Sequence, residues 1–231
     1  MNTGTKHSGA AAGFTLVEMA VVLVIIGLVL GGLLMPLSQQ VENEKEKETQ
    51  AMLVSVREAL TGYAMLYGRL PCPDTDVPAD GRENTPCPTG TVVVSGRLPW
   101  ATLGLGQVRD GWYQDVFYAV NGAFTSVATL AAILPDTAAW GGWSGVLTVW
   151  DRANCAAGTQ LAANVPAVVV STGKQKDAPL VSNDENENAD GDACFVARNF
   201  SDAPGAEFND QLLWLSPTVL FTRLVDAGKL P

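Results

Sequence analysis

Histidine is nearly missing from this chain. His7 is the only one in 231 residues, and it lies in a short polar stretch that is expected to be cut off. A mature chain without histidine has no Ser-His-Asp triad, no Cys-His pair and no His-ligated metal. Charge is also sparse, at 16% of residues, and it is unbalanced: Lys and Arg number 14 against 24 Asp and Glu, for a net charge of −10. Such an acidic balance disfavours nucleic acid and anionic lipid headgroups as partners of a soluble part. No pair of cysteines has CxxC spacing, which argues against a zinc ribbon or thioredoxin-like chemistry. No small-x-small site follows the first apolar run, so an ordinary secretory signal does not fit.

The apolar content is concentrated early. Residues 1–13 are polar or small and carry Lys6; residues 14–37, FTLVEMAVVLVIIGLVLGGLLMPL, are almost wholly apolar. At ~1.5 Å per residue that run is about 36 Å of helix, enough for a hydrocarbon core of ~30 Å. The expectation is a transmembrane helix with Lys6 on the cytoplasmic side and the bulk of the chain in the periplasm. Glu18 breaks the run. A carboxylate within such a span costs roughly 2.5–3.5 kcal/mol, and residues of this kind are usually functional and partnered. No Lys or Arg lies inside the run. Cleavage after Gly13 would create a free amine on Phe14, and the amine of one subunit could meet Glu18 of another.

The segment Gly13-Phe14-Thr15-Leu16-Val17-Glu18 resembles the processing motif of type IV pilins and type II secretion pseudopilins. The resemblance covers about the first 37 residues. It implies cleavage after Gly13 by a prepilin peptidase, N-methylation of Phe14, and a role for Glu18 in docking into the growing filament. It further implies other pilin or pseudopilin subunits, an inner-membrane assembly platform and membrane lipid as partners, and no nucleic acid. The family's kink proline is displaced by one position, to Pro36, and local unwinding near Gly31, Gly32 and Pro36 is expected.

Residues 38–68 read as the periplasmic continuation of the helix. Leu53, Val56, Leu60, Tyr63 and Tyr67 share one face, the charged run 42–48 is a solvated surface, and Gly68 is a C-cap. The region 69–231 reads as a globular head. Residues 110–120 show a turn followed by a strand pattern, 145–150 and 165–171 are β-branched runs that read as strands, and 207–215 reads as extended. Residues 125–134 fit either a strand or a short helix. Ser216-Pro217 reads as an N-cap with proline at the first helical position, opening a short terminal helix closed by Gly228. The expected fold class is α+β: a long N-terminal helix packed on an antiparallel sheet, with disulfide-bracketed loops and a short C-terminal helix. In the family resembled, the sheet lies on the amphipathic half of the long helix.

Cys72, Cys87, Cys155 and Cys194 allow three pairings. Cys72–Cys87 and Cys155–Cys194 are favoured because each brackets a loop rich in Pro, Gly, Asp and Asn; four buried thiols are the alternative. Residues 182–193, SNDENENADGDA, read as an acidic loop whose oxygens suit a hard cation. Asp184, Asn186, Asn188, Asp190, Asp192 and Asp210 are the candidate calcium ligands, with Asp190 and Asp192 preferred; no cofactor is required. The alternative is an exposed acidic loop held by Cys194. Asp74, Asp76, Asp80 and Glu83 form a second acidic loop, read as a disulfide-closed turn, with a cation held at Asp76-x3-Asp80-Gly81 as the alternative. Trp140 and Trp143 are read as core, with a partner or carbohydrate surface as the alternative.

The expected function is structural: a pilus or pseudopilus subunit, and on the size of its head a minor one. Two rivals stand beside it, a membrane-tethered periplasmic enzyme and a calcium-dependent adhesion module displayed on a pilus.

Overall fold

The protein is described from a computed structural model covering residues 13–127, 146–153, 155, 157–175, 183–201 and 203–229. The leader residues 1–12, most of the ambiguous segment 125–134, and Trp140 and Trp143 lie outside the described residues. The chain divides into two compact units, residues 1–44 and 45–231.

Helix α1 (Leu16–Tyr67) is continuous, so the unwinding expected near Gly31, Gly32 and Pro36 is not found. In the first unit its apolar side chains face outward: Leu16 is 86% exposed and Leu23 68%. In the second unit one face is buried. Leu53, Val56, Leu60, Tyr63 and Ala64 lie in the core, the i, i+3, i+4 spacing expected of an amphipathic helix. Tyr67 does not join them. It is 57% exposed and packs its ring 4.4 Å from that of Tyr63, because the helix ends there. Gly68 closes α1 at φ 67°, with its N–H donating to the Ala64 carbonyl at 2.7 Å.

Strands β1 (Val93–Arg97), β2 (Phe117–Asn121), β5 (Ala167–Ser171) and β7 (Gln211–Trp214) form one antiparallel sheet in the order β1-β2-β5-β7. Strands β3 (Leu147–Trp150), β4 (Gln160–Val165) and β6 (Cys194–Val196) form a second sheet in the order β4-β3-β6. Here the antiparallel expectation holds only in part, since β3 pairs antiparallel with β4 and parallel with β6. Among the described residues the head has two further α-helices, α2 (Asn183–Ala189) and α3 (Pro217–Asp226). Ser216 is extended at the N-cap of α3 with proline following, as the sequence reading has it.

Alternation along the strands explains the layering. Tyr118 and Val120 of β2, with Ala167 and Val169 of β5, pack with α1 and α3 in one core. Ala119, Val168 and Val170 point to the opposite face and pack with Leu147 and Val149 of β3. The four-stranded sheet is therefore covered on both faces. That is why β5 is buried at every position and reads as a continuous Ala-Val-Val-Val run rather than an alternating one.

Loops are held to this frame by polar groups. The two disulfides are Cys72–Cys87 and Cys155–Cys194, the pairing favoured from the sequence. Glu83, inside the first disulfide loop, accepts two bonds from Arg69 at 2.7 and 2.8 Å, one from the Tyr63 hydroxyl at 2.8 Å and one from the Cys72 N–H at 3.0 Å. Burial opposes its charge, and these bonds outweigh burial, holding the carboxyl below its usual range. Thr49, wholly buried on α1, donates to the Lys45 carbonyl and accepts the Gly111 N–H. A Cβ at Gly111 would run into the Lys45 backbone, so only glycine permits this approach.

Candidate functional site

The N-terminal segment is built around the start of α1. Gly13, Phe14 and Thr15 precede the helix. Phe14 is 72% exposed, and a Cβ at Gly13 would meet nothing within 4 Å. The Gly13–Phe14 peptide is thus non-helical and uncrowded among the described residues. Thr15 sits at the N-cap. Its Oγ1 accepts the Glu18 N–H at 3.2 Å, and the Glu18 carboxylate accepts the Thr15 N–H at 3.5 Å. This reciprocal pair has the arrangement of a capping box, with the first bond at the long end of the usual range and the second beyond it.

The box changes the account of Glu18. The sequence argument placed its carboxylate inside the apolar span and left it without a partner in its own chain. The structure places it in the first turn, where helix N–H groups and the macrodipole favour a negative charge. The Thr-x-x-Glu spacing in the sequence is the signal that could have shown this. Glu18 therefore has a partner within its own chain, the Thr15 N–H.

Behind the cap, Leu16, Val17, Val22, Leu23, Ile25 and Leu28 are all exposed. Among the described residues no helix is long and apolar enough to cross a membrane. The described apolar side chains run from residue 16 to 29, about 20 Å of helix against the ~30 Å of a hydrocarbon core. The side chains of residues 30 and 32–37, which complete the run in the sequence, lie outside the described residues.

The acidic segment near residue 190 is not the loop the sequence suggested. Residues Asn183–Ala189 form helix α2, with Asp184 and Glu185 in the first turn where the dipole favours them. Its side chains bind protein groups. Asp184 accepts the Ala153 N–H at 2.7 Å and lies 2.8 Å from Arg198 Nε. Glu185 accepts the Asn209 N–H at 3.0 Å. Asn188 exchanges two bonds with the Val196 backbone and donates to Asp210 Oδ2 at 2.8 Å. Burial raises the Asp210 carboxyl to about 7; the Asn188 donor opposes the rise and the Glu185 charge adds to it.

The six candidate calcium ligands therefore divide. Asp184, Asn188 and Asp210 are used in tying α2 to β6 and to the approach to β7. Asn186 is exposed on α2. Asp190 and Asp192 lie beyond the helix end and come together with Glu187, which was not on the candidate list. Asp190 accepts the Asp192 N–H at 3.0 Å, and Asp192 accepts the Cys194 N–H at 2.6 Å. These bonds shape the turn into the second disulfide. In the other acidic loop Asp74 is buried and accepts the Asp76 and Gly81 N–H groups, as a closed turn requires.

Comparison with known proteins adds one positive finding. Residues 9–34 match the family model described as the prokaryotic N-terminal methylation motif. That motif is the hallmark of type IV pilins and pseudopilins, and the match spans Gly13, Phe14 and Glu18. No curated protein and no solved structure matches the chain.

Proposed function

We propose that the chain is a structural subunit of a type IV pilus or type II secretion pseudopilus. The observation that carries this is one coincidence. The methylation motif ends in a helix whose apolar side chains are exposed from its first turn, a surface that water alone would not maintain. On this reading prepilin peptidase cuts after Gly13 and Phe14 is methylated. Residues 14–37 hold the subunit in the inner membrane with the head in the periplasm, and the same residues then pack against other subunits. Glu18 exchanges its own Thr15 N–H for the amine of a neighbour during docking. Proteins with this motif are generally structural, and the head is taken as that of a minor subunit on its size. No cofactor is needed for this role. Calcium is assigned to Asp190 and Asp192 with Glu187, three carboxylates in mutual reach.

The test is the intact mass of the protein from its native membrane. The expected mass lacks residues 1–13, carries one added methyl and keeps both disulfides. Retention of residues 1–13 in a host with active prepilin peptidase would overturn the proposal. The same preparation of Glu18→Val distinguishes a filament subunit from a merely anchored protein: the subunit loses assembly, while an anchored enzyme keeps its function.

A further inference from the structure

A cleft of about 420 Å³ lies in the head, away from α1, within the size range of sites for small ligands. Its apolar wall includes Val77, Pro78, Leu98, Trp100 and Val108. At one end Arg97 and Arg109 converge on a single carboxylate, Asp115, at 3.3 and 3.9 Å. Two guanidinium groups against one carboxylate leave the cleft with net positive charge, in a chain whose net charge is −10. Asp76 and Asp80 flank the Val77–Ala79 wall but do not line the cleft; Asp76 accepts from Asn84 and Asp80 lies 4.0 Å from Arg82.

Both walls are anchored from behind by a buried aspartate. Asp74, 1% exposed, accepts the Asp76 and Gly81 N–H groups and so fixes the loop that carries Val77 and Pro78. Asp110, 4% exposed, accepts the Trp112 and Gln114 N–H groups and the Ser171 hydroxyl, and so fixes the turn beside Arg109. On its other side Trp100 packs on Gly81, where a Cβ would overlap the indole ring. The cleft is therefore preformed, and a ligand would spend little on ordering it.

The geometry points to a binding site for a carboxylate carried on an apolar body, with the acid beside the Arg97–Asp115–Arg109 cluster, whose charge is net positive, and the body against Trp100 and Val77. A guanidinium fork suits a carboxylate better than any neutral group. The site needs neither processing nor filament assembly.

The experiment is ligand-observed NMR, with titration, on the full-length chain in detergent micelles. The probe is N-acetyl-leucine and the control is N-acetyl-leucinamide, which has the same body without the charge. The acid is expected to bind and the amide to bind about tenfold more weakly, the size of one charge-assisted contact. Arg109→Gln removes a half-exposed guanidinium, and Val77→Asp adds a negative charge at a position that is 95% exposed; each is expected to weaken the acid by a similar factor and leave the fold intact. A dipeptide amide, N-acetyl-Leu-Asp-amide, carries its carboxylate on a side chain. Its preference over N-acetyl-leucine supports an acidic peptide segment as the source, and the reverse supports a chain end or a free small acid. Equal binding of acid and amide, or unchanged binding of the acid to both variants, would overturn the site.

Discussion

The two stretches of α1 use similar residues for opposite ends. Leu23 and Leu60 are both leucines on one helix, yet Leu23 is 68% exposed and Leu60 is fully buried. Around Leu60 the apolar residues keep to one face and the head covers them. Around Leu23 they surround the helix, and the described chain provides nothing to cover them. Apolar residues kept to one helical face thus mark a segment that packs on its own chain, whereas an apolar circumference calls for cover that the described residues do not supply.

The largest effect separating the two stretches is expected from truncation. Leu60→Ala should destabilise the head by about 4 kcal/mol through lost burial and a cavity, measured by denaturant unfolding in detergent. Leu23→Ala should leave the unfolding midpoint of the head unchanged. Equal effects would show that the two stretches are not distinct.

A smaller effect is expected where α1 is tied to the first disulfide loop. Glu83→Gln weakens the Arg69 pair and the Tyr63 bond, for a loss of about 2 kcal/mol at neutral pH. The pH dependence follows from the lowered carboxyl. A depressed folded-state pKa stabilises above the unfolded value near ~4.3 and is lost as pH falls through the folded value. The wild type should therefore lose more stability than Glu83→Gln in the acid range, and the two should converge at the lowest pH.

The smallest effect lies at the start of the helix. Thr15→Val removes one bond of the capping box and should cost about 1 kcal/mol of local helix stability. Faster amide hydrogen exchange is expected in the first turn, with no change at residues 53–64. Unchanged exchange at Glu18 would show that the long bond to Thr15 Oγ1 contributes nothing.

Much of this was legible in the sequence. The disulfide pairing follows from loop composition around Cys72–Cys87 and Cys155–Cys194, α3 from Ser216-Pro217, and β5 from its valine run. The misses have physical causes. Strand β1 sits in a Gly- and Ser-containing stretch without a clear alternation, and β4 is a half-exposed edge strand, so neither announces itself. Residues 183–189 are rich in Asn and Asp, which usually favour turns. Their helix is fixed by bonds to Val196, Asn209 and Asp210, distant partners that local propensity does not see. In the Arg97–Asp115–Arg109 cluster, Arg109 and Asp115 face each other across one turn, but Arg97 comes from the end of β1, and no spacing in the sequence brings it to them.

The shared core of α1 and α3 also sets an order in time. Leu53, Val56 and Leu60 pack in one cluster with Leu215, Leu220, Phe221 and Leu224. The ribosome delivers the first group long before the second. Until residues 215–224 have been made, the apolar face of α1 lacks part of its cover, and contacts so far apart in sequence form slowly. During that interval the nascent head exposes a sticky helix face, so biogenesis favours either a holding factor or rapid completion of the chain.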